Sequence, residues 1–205
     1  PDPLRFSLAS IMPETSDSNF SWSEYVRRNN DELVATFGNL VHRVLSMTNR
    51  YFDGVVPEPK GQDDLDKTLI AKASETLSLV GNELENCRFR RALEHSMSLA
   101  QEANRYLDEK APWSAAKNDP ASAGNTLYHC LNVINCLKTT FAPILPFSVE
   151  KLHMMLGFDG TAIDQGWTWK PDAVNPGHTL GEPKALFIKL EDSVVDEEVS
   201  RLGIS

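Results

Sequence analysis

The stretch FGNLVHRVL, residues 37 to 45, carries two residues spaced for joint recognition. Asn39 and Arg43 stand one turn apart if the segment is helical, about 40° from each other at about 100° per residue. Leu33, Phe37, Leu40 and Val44 form an apolar stripe on nearly the opposite side. An Asn amide offers donors and an acceptor, and an Arg guanidinium offers a rigid fork of donors. The pair could grip the edge of a planar polar group, or it could be two solvated side chains. Further on, Trp113 directly follows Pro112. Proline stops the preceding helix, which leaves the indole at a corner, either as a core plug or as an exposed stacking surface. Stacking a base on an aromatic ring is worth roughly 1–3 kcal/mol and is indifferent to base identity. An Asn and an Arg beside it would add the edge hydrogen bonds that discriminate. One platform and two polar readers suit an unpaired base in an RNA loop.

Other chemistry is missing. There is no Gly-rich phosphate loop, no Gly-x-Ser-x-Gly elbow and no His-Glu-x-x-His helix. His42, His95, His129, His153 and His178 show no ligand spacing to one another. Cys87, Cys130 and Cys136 form no Cys-x2-Cys pair, so they read as buried free thiols in a reducing cytoplasm rather than as zinc ligands or disulfides. No metal or cofactor is expected. The balance of 20 basic against 29 acidic side chains gives a net charge of −9. That argues against a general grip on a phosphate backbone, DNA included, so any contact with nucleic acid should be small and local. Arg27, Arg28, Arg88, Arg90 and Arg91 come nearest to basic clusters. They read as phosphate contacts or as partners of neighbouring acids. No apolar run approaches the ~20 residues that span a bilayer, and the opening residues do not read as a basic-then-apolar leader. The chain opens on Pro1 rather than Met, which suggests a piece of something longer.

The elements that must position these residues are helical. Residues 1–20 show no sustained periodicity and read as an incoming connector. Ser21 and Glu24 match a capping box, with Phe20 and Tyr25 as a hydrophobic staple. Val26, Leu33, Phe37, Leu40, Val44 and Tyr51 then recur at helical spacing up to Phe52. Further helices are expected from Asp63 through Leu84, from Phe89 until Pro112, from Asp119-Pro120 to Phe141, and from Pro146 to Leu156. The turn-rich stretch beyond Gly157 ends in ALFIKLED, which reads as a brief strand, and in an acidic final helix or frayed tail. The expected fold is all-α, with residues 21–157 as a helical bundle and 158–205 as an irregular wrap and tail.

Three motifs, NNDELVATFGNLVHRVLSMTNRYF, ANRYLDEKAPW and APILPFSVEKLHMMLG, occur in this order. Together they resemble the anticodon-binding region of methionyl-tRNA synthetases. DPLRFSLAS is similar to that family's connector from the catalytic domain, and PKALFIKLED, more loosely, to its closing segment. The resemblance implies that Asn39 and Arg43 recognise the CAU anticodon of methionine tRNA, chiefly its first base, and that Pro112 and Trp113 supply the stacking platform. It also implies that ATP, magnesium and methionine serve a catalytic domain whose ATP-binding signatures are absent here. This region should then be inactive alone, monomeric and cytoplasmic, with the tRNA anticodon loop and that catalytic domain as partners. Two rivals stay open. One is the anticodon domain of a cysteinyl-, valyl-, leucyl- or isoleucyl-tRNA synthetase, which shares the broad bundle. The other is a helical protein-interaction module without RNA.

Overall fold

Ser21 starts the long helix as its spacing suggests: its hydroxyl accepts the Glu24 backbone N–H. The reciprocal half of the box is replaced, because the Glu24 carboxylate pairs with Arg27. Trp22 stacks edge-on between Phe20 and Tyr25, so the staple has a third ring. In the computed structural model, which describes residues 1–14 and 17–201, this helix runs in three contiguous stretches. They are α2 (Trp22–Arg28), a π-helical stretch (Asn29–Gly38) and α3 (Asn39–Phe52). In the π-helical stretch, whose backbone bonds run i→i+5, the buried residues Asn29, Leu33 and Phe37 recur every four and so keep one face to the core.

The other helices are α1 (Asp2–Ser10), α4 (Asp64–Glu85), α5 (Phe89–Lys110), α6 (Pro112–Asn118), α7 (Pro120–Phe141), α8 (Pro146–Met155) and α9 (Ser193–Arg201). The fourth helix expected from sequence is α7, capped by Asp119 with Pro120 at its first turn. It is buried on nearly every side and packs against α3, α4, α5, α6 and α8. The other helices arrange themselves around it, which accounts for its long apolar run.

Three expectations need correction. Residues 1–20 contain a helix: α1 packs on α5 and α2 and buries Phe6, and the Asp2 carboxylate accepts the Ser148 N–H in the first turn of α8. Helix α1 presents a single buried aromatic, too little to register as periodicity. Cys87 is exposed, whereas Cys130 and Cys136 are buried. ALFIKLED forms no strand among the described residues. Side chains of the long helix satisfy its backbone instead: the Asn30 amide donates to the Leu190 carbonyl at 2.8 Å and accepts the Leu190 N–H at 2.9 Å. Asn29 donates to Ile188 O at 3.0 Å. Asn132 on α7 uses the same two-way contact on Val174. A wrap with almost no ladder of its own is thus fastened by buried amides.

The wrap also needs glycine where it crosses the end of α8. Gly157 has φ +77°, and a Cβ there would lie 2.2 Å from Thr179 O. Gly177 has φ +78° with open space around it. Gly157→Ala is therefore expected to lower stability by at least about 2 kcal/mol, from left-handed strain plus collision, and Gly177→Ala by only about 1 kcal/mol. Urea unfolding of the two variants checks this. Equal losses would show that the crossing at Thr179 yields freely.

Candidate nucleic-acid interface

Helix α3 presents Asn39 to solvent and holds Arg43 half-buried one turn later. Helix α5 ends at Lys110, and Ala111 then takes a left-handed conformation, φ 41° and ψ 57°. A non-glycine residue in that region stores strain of the kind that accumulates at functional corners. Pro112 and Trp113 open α6 immediately afterwards, and Ser114 and Ala115 both return their N–H groups to Ala111 O. Pro112 is buried, and Trp113 keeps 39% of its surface exposed. The indole is thus at a corner, as expected, but within the first turn of a new helix.

This corner brings the sequence candidates together. The Arg43 guanidinium lies over the Trp113 ring, 5.3 Å from its centroid, a cation–π arrangement. Arg43 also donates to the Asp108 carboxylate at 2.6 Å, so one side chain ties α3 to α5 and α6. Asn39 sits exposed a turn ahead on α3, the side of the helix opposite its buried residues Leu40, Val41 and Val44.

Asp108, which sequence reasoning missed, falls within the matched stretch ANRYLDEKAPW. Nothing in its local spacing reveals that its partner is on another helix. Asn104, a turn earlier, donates to Thr36 O at 3.1 Å and Ala100 O at 3.0 Å. It therefore fastens α5 to the π-helical stretch just ahead of Asn39.

Beneath the corner lies a second missed group. Asp66, 1% exposed, accepts Tyr106 OH at 2.7 Å, the Asn125 amide at 2.9 Å, the Asp63 N–H at 3.0 Å and Lys110 Nζ at 2.8 Å. Lys110 also reaches Asp63. The hydrogen bond from Lys110 lowers Asp63 to about 2. Burial alone would raise Asp66, but its bonds from Lys110 and Tyr106 outweigh that and leave it below the usual range. Burial likewise opposes the charge on Lys110, and its two carboxylate partners overcome it. His129, buried beside Asp66 at 3.8 Å, is pushed down by burial and stays neutral at pH 7.

The five expected basic residues are elsewhere. Arg27 and Arg28 pair with Glu24, Asp31 and Glu32, Arg88 with Glu83, and Arg90 with Glu94. Arg88, Arg90 and Arg91 flank the start of α5, about 30 Å from its other end at 1.5 Å per residue. No cluster of His, Cys, Asp or Glu among the described residues could hold a metal ion. No helix among them is long and apolar enough to cross a membrane.

Comparison with known proteins gives the class first: residues 1–45 match the family model described as tRNA synthetases class I (M). Residues 56–204 match the model of the anticodon binding domain of methionyl tRNA ligase, and the chain belongs to that family. It is 49% identical over 203 residues to the methionine–tRNA ligase of Dehalococcoides mccartyi, covering 99% of this chain and 36% of that protein. The Thermomicrobium roseum methionine–tRNA ligase is 41% identical over 226 residues, covering 98% and 39%. The free-state crystal structure of Mycobacterium tuberculosis methionyl-tRNA synthetase superposes with a TM-score of 0.85 at 28% identity, over 93% of this chain and 39% of that one. The chain thus spans little more than a third of each of these proteins, and the all-α expectation is met by the fold they share.

The Asp66 cluster generates a pH-dependent expectation. Lys110→Met should cost about 2 kcal/mol at pH 7, because Asp66 is left buried with one bond fewer. Both aspartates have folded values below their unfolded 3.8. Their contribution is therefore complete above pH 3.8 and is lost as pH falls through the lowered values. The difference between wild type and variant should shrink as pH drops from about 4 toward 2. Urea midpoints at pH 7, 4 and 2.5 measure it, and a constant difference would contradict the coupling.

Proposed function

We propose that this domain reads the CAU anticodon of methionine tRNA, with the first base, cytosine, as its main determinant. The observation that carries this is the meeting of Arg43 and Trp113 at a half-open corner, with Asp108 bracing the guanidinium. A flipped-out base stacks on the exposed indole, held in place by Pro112. The Watson–Crick edge of cytosine offers two acceptors and one amino donor. The donors of Arg43 suit the acceptors, and the amide oxygen of Asn39 suits the donor. Uracil reverses the pattern at its ring nitrogen and exocyclic group, leaving polar atoms unpaired. Loop bases are read by stacking and edge bonds, so few phosphate contacts are required and the net charge of −9 is no obstacle.

The chain contributes recognition and no bond-making group. ATP, magnesium and methionine belong, on this reading, to the part of the relatives that the chain does not span. We assign residues 1–20 to the connection with that part, 21–157 to the reading bundle and 158–205 to the wrap. On α1 the exposed Leu4 and Leu8 lie one turn apart, exposed Met12 follows just beyond the end of the helix, and Phe147 is exposed at the start of α8, which packs on α1. The family match continues through this segment, so these residues are the proposed seat of the catalytic domain. The proposed setting is the cytoplasm, where the tRNA is charged.

The test is binding of a fluorescent CAU stem-loop and of loops altered at the first base. Changing that base, or making Trp113→Ala, Asn39→Ala or Arg43→Ala, should each weaken binding by about 1–3 kcal/mol. Equal binding of every loop by the folded chain would sink the assignment.

A further inference from the structure

Four of the five clustered arginines, Arg27, Arg28, Arg88 and Arg90, are spent on carboxylates, whereas two cations on the elements of the reading corner are not. Arg50 lies on α3 in the stripe Asn39, Arg43, Ser46, Arg50, whose steps of four, three and four keep all four residues within about 60° of one another. It is exposed, and its guanidinium rests over the ring of its neighbour Tyr51, 5.5 Å from the centroid. Lys117 stands one turn after Trp113 on α6 and is also exposed. Among the described residues neither has a carboxylate within ion-pair distance. Arg27, Arg28, Arg43, Arg88, Arg90, Arg105, Lys110 and Arg201 all do. In a chain with nine more acids than bases, these two cations, one on the Asn39–Arg43 face of α3 and one a turn from Trp113 on α6, form a rim that carries no ion pair among the described residues.

We propose that Arg50 and Lys117 are phosphate-binding residues that hold the backbone of the RNA loop while Asn39, Arg43 and Trp113 read its base. The proposal rests on the anticodon reading above and supplies what that reading lacks, a backbone grip. Seven residues separate Arg43 from Arg50, about 10 Å along the helix. Phosphates along a stacked strand recur about every 3.4 Å, so Arg50 meets the backbone some three nucleotides from the base beside Arg43. Lys117, a flexible point charge, is within reach of the strand that passes Trp113, one turn along α6. Phosphate contacts fix register and carry no sequence information, which separates these two residues experimentally from the readers.

The experiment titrates the 205-residue chain with CAU and base-changed stem-loops across a salt series, comparing wild type with Arg50→Gln, Lys117→Gln and the double variant. Arg91→Gln, at the far end of α5, controls for loss of one charge. All are surface changes, and thermal unfolding confirms that each variant folds as wild type does. Each of the two single variants should weaken both loops equally, by roughly 3- to 10-fold at moderate salt. Each should also lower the slope of log K against log salt by about 0.7, one single-strand phosphate contact. Preference for CAU should be unchanged. If wild type prefers CAU but the two variants match it in affinity and slope, the rim is not used, and the base-reading assignment survives. A variant that loses CAU preference without a change in slope also overturns the proposal, by making that residue a reader. If wild type itself shows no preference for CAU, the reading site falls and the rim falls with it.

Discussion

A single buried carboxylate, Asp66, ties together the segments that make the reading corner. It receives the end of α5 through Tyr106 and Lys110, the start of α7 through Asn125, and the loop before α4 through the Asp63 backbone. A charge that deep is tolerable only when fully hydrogen-bonded, and four donors meet that requirement. Lys110 is the last residue of α5, so Ala111, Pro112 and Trp113 leave the bundle from a fixed point. The strained turn at Ala111 persists because both its sides are anchored, and the direction of the indole follows from it.

The other half of the corner depends on the π-helical stretch. Its wide turns shift the phase of α3 relative to α2, so that Asn39 and Arg43 leave the helix toward α5 and α6. Gly38 closes the stretch where a Cβ would lie 2.9 Å from Leu33 O and 3.3 Å from the Phe187 ring. Phe187 in turn sits against Phe37, which stacks on Phe141 of α7. The wrap is therefore part of the support of the reading helix.

Much of this was legible in the residues themselves. Caps, prolines and helical spacing placed the helices from Ser21 to Leu156, because those signals are local. Asn39, Arg43, Pro112 and Trp113 could be singled out for the same reason: a one-turn spacing and a Pro-Trp corner are short-range facts. The partnership of Arg43 with Asp108, the Asp66 cluster and the Asn30–Leu190 contact were not legible. Each joins residues far apart in the chain, and an Asn or Asp on a helix looks the same whether it faces water or another element. The strand expected at ALFIKLED failed on the same ground. Its apolar run was real, but its hydrogen bonds went to side chains of a distant helix rather than to another strand. The arginine clusters left two readings open for the same reason, since charge density along a sequence does not reveal which charges are already neutralised.

The Asn30 amide and the Leu190 backbone are 160 residues apart in the chain. Loops of that length close late and slowly compared with helix formation. A ribosome delivers α3 well before the segment that braces it, so the reading helix exists for a time without Phe187 behind it. A nascent chain interrupted within the wrap would then carry the motifs for recognition and lack the backing that sets their angle. Completion of the brace behind α3, and with it the final orientation of Arg43, is timed by the arrival of Phe187 and Leu190.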